Sequence, residues 1–233
     1  MTIKPIEILT PNILEAASLS DAQGEVFAIK HGSKNTISGA VTAAFAGTVS
    51  AEKILIKNTD AQSITIEYKR AASDENFTLF EDFALVKSGR DILITFDAPL
   101  EAASFKFTLL GEVESVYFYE FALLSRLLFL DKALTSFTPS GYRKGGYHYT
   151  ADGTLIRWHE FSKKSGALVL ENLSETTKQT LEYICDENIF LTFLFYGAYD
   201  LSQSGQYALT ADFKAELNRL SGLWNVYLEI TEK

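Results

Sequence analysis

Apolar and polar residues alternate along the segment 50–68, which reads SAEKILIKNTDAQSITIEY. Ile54 and Ile56 share one face of an extended strand, and Ile64 and Ile66 share one face of a second strand. Lys, Asn, Thr and Glu residues fill the alternate positions. The pattern predicts two half-buried strands joined by a short polar link, with no catalytic side chain between them.

Short segments of this kind recur as far as residue 124, and none of them keeps the 3.6-residue period of a helix. They predict strands at 6–9, 25–30, 40–48, 52–58, 62–70, 77–86, 91–96, 103–110 and 114–123. Strands at this spacing, without helices between them, are typical of antiparallel sheets. The sequence therefore predicts an antiparallel β-sandwich of the jelly-roll type over residues 1–124.

The pattern changes at residues 124–137, where apolar residues come in a block. We place a module boundary here, between residues 1–124 and 125–233. Two interpretations of the block stay open. It is either an amphipathic turn of helix that docks one module on the other, or a linker.

The second module begins with a Gly-rich stretch at 137–146, which we interpret as a flexible loop. The pair Asp152-Gly153 lies between two alternating aromatic segments and predicts a tight hairpin. Ser174 is a candidate N-cap for a helix near 175–187. Further strands are predicted at about 167–171, 189–196, 205–211 and 223–231. The expected fold is mainly β, with a small C-terminal β-sandwich or split barrel that carries one helix.

Composition excludes several classes of function. The formal net charge is -9, and the 21 Lys and Arg residues are scattered, so we expect no nucleic-acid surface. No run approaches the ~18 apolar residues of a spanning helix, and the first residues lack the apolar core of a signal peptide. We expect no membrane insertion and no export signal. The single cysteine, Cys185, cannot form an intramolecular disulfide, and we expect it to pack as a small apolar residue whose neighbours Asp186 and Glu187 raise its pKa.

Residue types that carry catalysis or bind metals are sparse. His148 and His159 flank the predicted hairpin, so a shared metal is geometrically conceivable, but no paired Cys or third nearby His completes a four-ligand site. There is no Gly-x-Ser-x-Gly elbow for a nucleophile. A pair of converging carboxylates stays open, because acids are plentiful. We expect no catalytic residue, no metal and no cofactor, and hence no enzyme.

The ligand-binding candidates are aromatic residues around the predicted hairpin: Tyr142, Tyr147, Tyr149 and Trp158. Such rings could stack on a sugar. The alternative is that they form core on one face and a subunit contact on the other.

Several segments of the first module carry a resemblance to a known family. They are 11–21, the strand pair near 54–68, and the closing segments 103–110 and 114–121. Over residues 5–123 the chain resembles a discoidin-type, galactose-binding-like jelly roll of the kind found in structural proteins of tailed bacteriophages and prophages. That family often carries a Trp after a polar loop, and the corresponding segment 31–38 has none.

The second module is similar to the small β modules with one helix that recur in tail-tube and tail-tip proteins. The residues that carry this resemblance are the Asp152-Gly-Thr-Leu-Ile-Arg-Trp hairpin, the capped helix and the final strand from Gly222. The two resemblances together imply a non-enzymatic structural component of a phage or prophage tail. Its expected partners are other tail proteins and further copies of itself in a ring, and its expected place is the virion, assembled in the bacterial cytoplasm.

The alternative is a carbohydrate-binding module that recognises host surface glycans. Its stacking platforms would be aromatic residues of the first module, such as Phe45, Phe77 or Phe80.

Overall fold

A computed structural model describes residues 4–30, 33–113, 115–150, 154–187, 190–196, 200–210 and 212–232 of the chain. Antiparallel strands form most of this part, which confirms the predicted mainly β class. The strands belong to a first sheet, a small two-stranded sheet and a second sheet.

The first sheet contains eight strands and the small sheet contains two. The strands of the first sheet are β2 (Ser18–Ser20), β3 (Val26–Phe27), β5 (Ala40–Lys57), β6 (Ser63–Lys69), β7 (Thr78–Phe80), β8 (Phe83–Ser88), β9 (Asp91–Leu110) and β11 (Glu120–Leu124). Strands β4 (Asn35–Ser38) and β10 (Ser115–Phe118) form the small sheet. A short 3-10 turn, Ile13–Ala16, precedes β2.

Two long strands organise the first sheet. The early part of β5 pairs with β2 and β9, whereas its last residues pair with β11 and a different part of β9. Val41 and Phe105, from one half of this pair, share a single core with Ile54 and Ile94 from the other half. The sheet therefore bends over on itself to form a sandwich. Each long strand corresponds to two strands in the sequence prediction, and irregular register near residues 44–49 explains the apparent break.

The strand pair at 50–68 differs from the prediction in two respects. Strands β5 and β6 do not pair with each other, because β9 lies between them. The face of β5 that the sequence assigned to polar residues is also buried, since Lys53 and Lys57 are only 2% and 7% exposed.

The second sheet contains seven strands in the order β13-β12-β1-β14-β15-β17-β16. They are β1 (Lys4–Leu9), β12 (Arg126–Tyr149), β13 (Leu155–Leu173), β14 (Phe190–Phe195), β15 (Gly205–Leu209), β16 (Lys214–Asn218) and β17 (Leu223–Glu232). Strand β13 also pairs with β17, so the sheet curls round its own apolar core. Helix α2 (Asp200–Gln203) is a single short turn between β14 and β15.

The predicted helix is present as α1, Glu175–Glu187. The Ser174 hydroxyl accepts a hydrogen bond from the Thr177 amide at 3.1 Å, which confirms the N-cap. Leu181, Ile184 and Cys185 are buried and belong to the core of the second sheet. The i, i+3, i+4 spacing of the sequence thus identified the buried face of the helix.

The segment 124–137 is neither a helix nor a linker, because β12 begins at Arg126. Leu128 and Leu130 pack toward the core of the second sheet, whereas Leu127 and Phe129 are partly exposed. Apolar residues on both faces conceal the two-residue period of the strand. The Gly-rich stretch 137–146 also continues β12 and is not a loop.

The first strand of the chain crosses the proposed module boundary. The sequence placed the strand at 6–9 in the first module, yet β1 lies between β12 and β14 of the second sheet. Its burial explains the difference: Ile6 and Ile8 are fully buried in the core of the second sheet. The division at residue 124 stays a prediction.

Candidate functional site

Strands β12 and β13 extend beyond the second sheet as a two-stranded ribbon. Their mutual pairing runs from Leu134 to the pair Tyr149↔Leu155. Strand β1 pairs with β12 only up to Leu134, and β17 pairs with β13 only from Ser165 onward. Residues 140–149 and 155–164, which we call the ribbon, therefore pair with no third strand among the described residues. Ten residues per strand correspond to a projection of about 33 Å.

The base of the ribbon lies at Ser165 and Gly166 of β13. At Gly166, an added Cβ would lie 2.2 Å from the Phe137 ring, so only glycine allows this ring to lie across β13. The Phe137 ring also stacks on Phe195 at a centroid distance of 4.6 Å. The ribbon therefore leaves the sheet from a closely packed base.

All four ligand-binding candidates fall on the ribbon. Tyr142 pairs with Lys163, Tyr147 with Arg157, Tyr149 with Leu155 and Trp158 with Gly146. Their side chains lie outside what the structure describes, so their role in ligand binding stays a prediction. The turn that carries the predicted Asp152-Gly153 hairpin also lies outside the described residues.

The two histidines near the hairpin do not face each other across the ribbon. His148 pairs with Ile156, and His159 pairs with Gly145. Three residues along a strand separate these positions by about 10 Å. His31 lies outside the described residues.

The sequence of the ribbon is basic although the chain is acidic. Between residues 140 and 164 there are five Lys or Arg and two Asp or Glu, against 16 and 28 in the rest of the chain. Residues 140–164 therefore carry a net charge of +3, and the rest of the chain carries -12. Positive charge is therefore concentrated on the ribbon segment.

The first and second sheets meet at an apolar contact, which we call the junction. Its buried residues come from both sheets and from α2: Leu9, Leu55, Leu93, Ala122, Leu124, Leu194 and Leu201. Because β5 presents Leu55 to the junction and Ile54 to the sandwich core, both faces of the strand are buried at this end.

Lys57 extends from the end of β5 to the end of helix α2. Its ammonium donates hydrogen bonds to the carbonyl oxygens of Leu201, Ser202 and Ser204 at 2.9, 3.2 and 2.5 Å. These carbonyls lie at the negative end of a helical turn, where a cation is favourable. The Asp91 carboxylate is 3.6 Å from the ammonium. Burial lowers the pKa of Lys57, and Asp91 opposes that shift.

Glu120 is the register partner of Lys57 on β11. Its Oε1 is shielded from solvent and has no hydrogen-bond partner among the described residues. Burial raises the pKa of this carboxyl to about 7, with Lys57 acting in the opposite direction. The carboxyl of Glu120 is therefore partly protonated at neutral pH.

The other buried lysine of β5 has a carboxylate partner. The Lys53 ammonium lies 3.2 Å from the Glu7 carboxylate of β1 and donates to the Thr95 hydroxyl at 3.2 Å. Arg126 extends this group, at 3.5 Å from Glu7 and 3.4 Å from Glu52.

Sequence reasoning missed both ionic groups. In the sequence, Lys53, Leu55 and Lys57 alternate with the apolar residues Ile54 and Ile56. This pattern fits a strand with one solvated face as well as a strand that is buried on both faces. That solvated face was the interpretation we chose. Recognising the junction required the pairing of β1 with the second sheet, which local patterns do not encode.

Cys185 behaves as the sequence predicts. It is 9% exposed, and burial together with Asp186 raises its pKa to about 12. Within the described residues, no three His, Cys, Asp or Glu side chains form a group that could hold a metal ion. No described helix has the length and apolar character needed to cross a bilayer.

The first sheet offers a cleft of about 450 Å³ between the loops near β3 and β4. Asp21, Phe27, Asn35 and Thr36 are among its lining residues. The Asn35 amide is engaged in the adjacent loop, where it donates to the carbonyls of Lys30 and Ser33 at 2.9 Å.

The three aromatic platforms proposed for sugar stacking are engaged elsewhere. Phe45 packs edge-on against Phe105, and Phe80 packs against Phe83 and Phe96. The Phe77 ring has the Lys69 ammonium 4.8 Å from its centroid. The structure therefore gives no support to these rings as open platforms.

Comparisons with known proteins yield structural neighbours only. No family model and no curated protein matches the chain. A protein described as an alpha-L-fucosidase from Bacteroides thetaiotaomicron matches 52% of this chain and 30% of its own, with 12% identity and a TM-score of 0.38. A chitosan-binding module from a Paenibacillus sp. IK-5 chitosanase/glucanase matches 47% of this chain and 92% of its own, with 14% identity and a TM-score of 0.34.

Neither of these two proteins is described as a tail protein. The chain spans less than a third of the fucosidase. Both TM-scores are below 0.5 and both identities are below 25%, so the likeness assigns no activity and no family to the chain.

Proposed function

We propose that the chain is a non-enzymatic assembly protein whose ribbon attaches it to a neighbouring copy of the same chain. The observation that carries this proposal is the ribbon itself, a pair of ten-residue strand segments with no third strand among the described residues. A two-stranded ribbon is only marginally stable alone in water. No third strand covers either edge of the ribbon among the described residues, and an edge of this kind can accept a partner strand.

The charge distribution supports a second copy as the partner. The ribbon segment carries +3, and the rest of the chain carries -12. A basic arm and an acidic body on one molecule attract each other between copies. Because arm and body are different surfaces, the contact is head to tail, and repeating it closes a ring or extends a filament.

The setting that the sequence resemblance implies is a phage or prophage tail. Within such a tail, the chain would serve as a tail-tip or tail-associated component in contact with other tail proteins. The structural neighbours do not bear on this setting, and the ribbon supports assembly without identifying the particle.

Sedimentation velocity of the full chain over a range of concentrations tests the proposal. We expect wild-type protein to form multimers that dissociate as salt is raised, because screening weakens contacts between exposed charges. The double variant Arg143→Glu/Arg157→Glu reverses charge on the ribbon, and we expect it to remain monomeric at the same concentrations.

A matched control reverses two exposed arginines in turns next to the strands of the first sheet, Arg70→Glu/Arg90→Glu. It changes the net charge by the same amount and should assemble like wild type. A wild-type chain that stays monomeric throughout would overturn the proposal. Equal loss of assembly in both double variants would show that net charge, and not the ribbon, controls association.

A second candidate is glycan binding by the first sheet. The supporting observation is the cleft of about 450 Å³, in which the partly exposed Phe27 ring lies beside polar residues such as Asp21 and Thr36. Binding sites for small molecules commonly combine an apolar wall with a few polar groups.

A glycan array with the full chain separates the two candidates. Glycan binding predicts a signal that Phe27→Ala removes and that the control Phe77→Ala retains. A monomeric chain with such a signal would favour glycan binding over assembly. No signal from wild-type protein would exclude this candidate for the sugars on the array.

A further inference from the structure

The end of the junction around Lys57 contains an odd number of charged groups. Four groups besides Glu120 act on it: Lys57 of β5, Asp91 of β9, Lys164 of β13 and Glu232 of β17. Two are cations and two are anions, so these four balance. Glu120 is the fifth group, and among the described residues its ionisation adds one negative charge without a matching cation.

The other groups near Glu120 do not supply that cation. Tyr207 of β15 also lies close enough to interact electrostatically with it, but the Tyr207 hydroxyl donates its hydrogen bond to the Gln203 carbonyl at 2.5 Å. Gly205 approaches Glu120 with its backbone only, and a Cβ added there would lie 3.6 Å from Glu120 Oε2. The orphaned Oε1 shows that the surrounding protein does not satisfy a full carboxylate.

The carbonyls of Leu201, Ser202 and Ser204 accept from the same ammonium that faces Glu120. The Ser202 carbonyl accepts from Lys164 as well. In the register of β5 and β11, Lys57 and Glu120 are directly opposite. An ionised Glu120 competes with the three carbonyls for the Lys57 ammonium, whereas a protonated Glu120 leaves it to them.

We infer that this part of the junction is a pH-responsive contact, in which protonated Glu120 allows Lys57 to hold the segment 201–204 on the first sheet and ionised Glu120 releases it. Because Oε1 is shielded and has no partner among the described residues, ionisation of the carboxyl favours an opened segment in which water reaches this atom. The raised pKa of Glu120, about 7, agrees with this geometry. The contact is therefore tightest at mildly acidic pH and loosens toward neutral pH.

The same contact reaches the base of the ribbon. The Lys164 ammonium donates to the Ser202 carbonyl, and the Lys164 amide donates to Glu232 Oε2 at 3.0 Å. Opening of the segment 201–204 removes one support of the ribbon base. This inference goes beyond the proposed assembly and holds for a monomer as well as for a multimer.

Amide hydrogen exchange of the full chain at pH 5 and pH 7 tests the inference, with rates corrected for intrinsic exchange. If Glu120 has its ordinary pKa in the opened state, protection of a peptide that covers 201–207 should fall about fortyfold between these pH values. A peptide from 92–96, in the sandwich core, should change little.

Glu120→Gln keeps the shape of the side chain and cannot ionise, so its 201–207 peptide should keep high protection at both pH values. The control Glu101→Gln alters an exposed acid of the same sheet and should behave like wild type. Equal protection of the wild-type 201–207 peptide at both pH values would overturn the inference, as would a Glu120→Gln variant that follows the wild-type change. The wild-type comparison of the two peptides remains decisive if Glu120→Gln does not fold.

Discussion

Lys53 and Lys57 lie on the same face of one strand, four residues apart, and are both buried, yet they are neutralised in different ways. Lys53 meets a carboxylate at 3.2 Å, and that carboxylate also meets Arg126. Lys57 is held mainly by backbone carbonyls, with its nearest described carboxylate at 3.6 Å. The first arrangement has balanced charges, whereas the second retains an additional acid.

The two lysines connect β5 to different parts of the fold. Lys53 joins β5 to β1 and so connects the first sheet to the strand that begins the chain. Lys57 joins β5 to the segment after β14. A lysine that shares its site with an excess acid is sensitive to the protonation of that acid.

The largest expected effect comes from Lys57→Met. The substitution leaves the Leu201 and Ser204 carbonyls and the Asp91 carboxylate without the Lys57 ammonium, so the free energy of unfolding should fall by about 4 kcal/mol at pH 7. Urea denaturation of wild type and of the variant at pH 7 measures this loss. If Lys57→Met lost less free energy of unfolding than Lys53→Met, Lys57 would not be the lysine that contributes more to stability.

Lys53→Met should lower the free energy of unfolding by about 3 kcal/mol, because buried Glu7 then keeps only the partly exposed cation of Arg126 and the Tyr196 hydroxyl. The double variant Lys53→Met/Glu7→Leu removes both charges and should return to within about 1 kcal/mol of wild type. Additive losses in the double-mutant cycle would show that the two residues act independently. The same cycle has no equivalent at Lys57, whose main partners are backbone groups.

The third prediction concerns the pH dependence of global stability. Glu120 has its pKa raised in the folded state, from 4.5 to about 7. The folded state therefore binds more protons than the unfolded state between these values, and stability is lost as pH rises through this window. Between pH 5 and pH 8, wild type should lose about 2.5 kcal/mol more than Glu120→Gln.

Urea denaturation at several pH values measures this difference, and the subtraction cancels the other acids of the chain. A difference of the opposite sign would mean that Glu120 is stabilised as a carboxylate. It would then resemble the acids of the Lys53 group, and the contrast between the two lysines would disappear.

Local patterns in the sequence were sufficient for the β class and for helix α1. Ser174 and the spacing of Leu181 and Ile184 act within a few residues, so they are visible without the fold. The strand at 126–149 was missed except for its last residues, which the sequence assigned to the hairpin, because apolar Leu127 and Phe129 lie on its exposed face and conceal the alternation.

The junction could not be predicted, because its residues become neighbours only through long-range pairing. Glu7 and Lys53 are joined by the insertion of β1 into the second sheet, and Lys57 reaches Leu201 across 144 positions of the chain. A lysine opposite an apolar series is far more often solvated than buried. The four aromatic candidates fell on one structural feature, the ribbon, but the sequence did not predict that the ribbon would project beyond the sheet.

The smallest effect is expected for Arg126→Met, which tests how much of the Lys53 group depends on its exposed member. The Arg126 side chain is 42% exposed, and its distances to Glu7 and Glu52 are 3.5 and 3.4 Å. Pairs at such exposure contribute little, so the loss of stability should stay below about 1 kcal/mol and shrink further in high salt. Met retains most of the apolar stem beside Phe129, whose ring centroid is 6.0 Å from the guanidinium. A loss as large as that of Lys53→Met would show that Arg126, and not Lys53, neutralises Glu7. Strand β1 would then be held to the first sheet mainly by an exposed ion pair. The comparison between Lys53 and Lys57 as two buried cations neutralised in different ways would no longer hold.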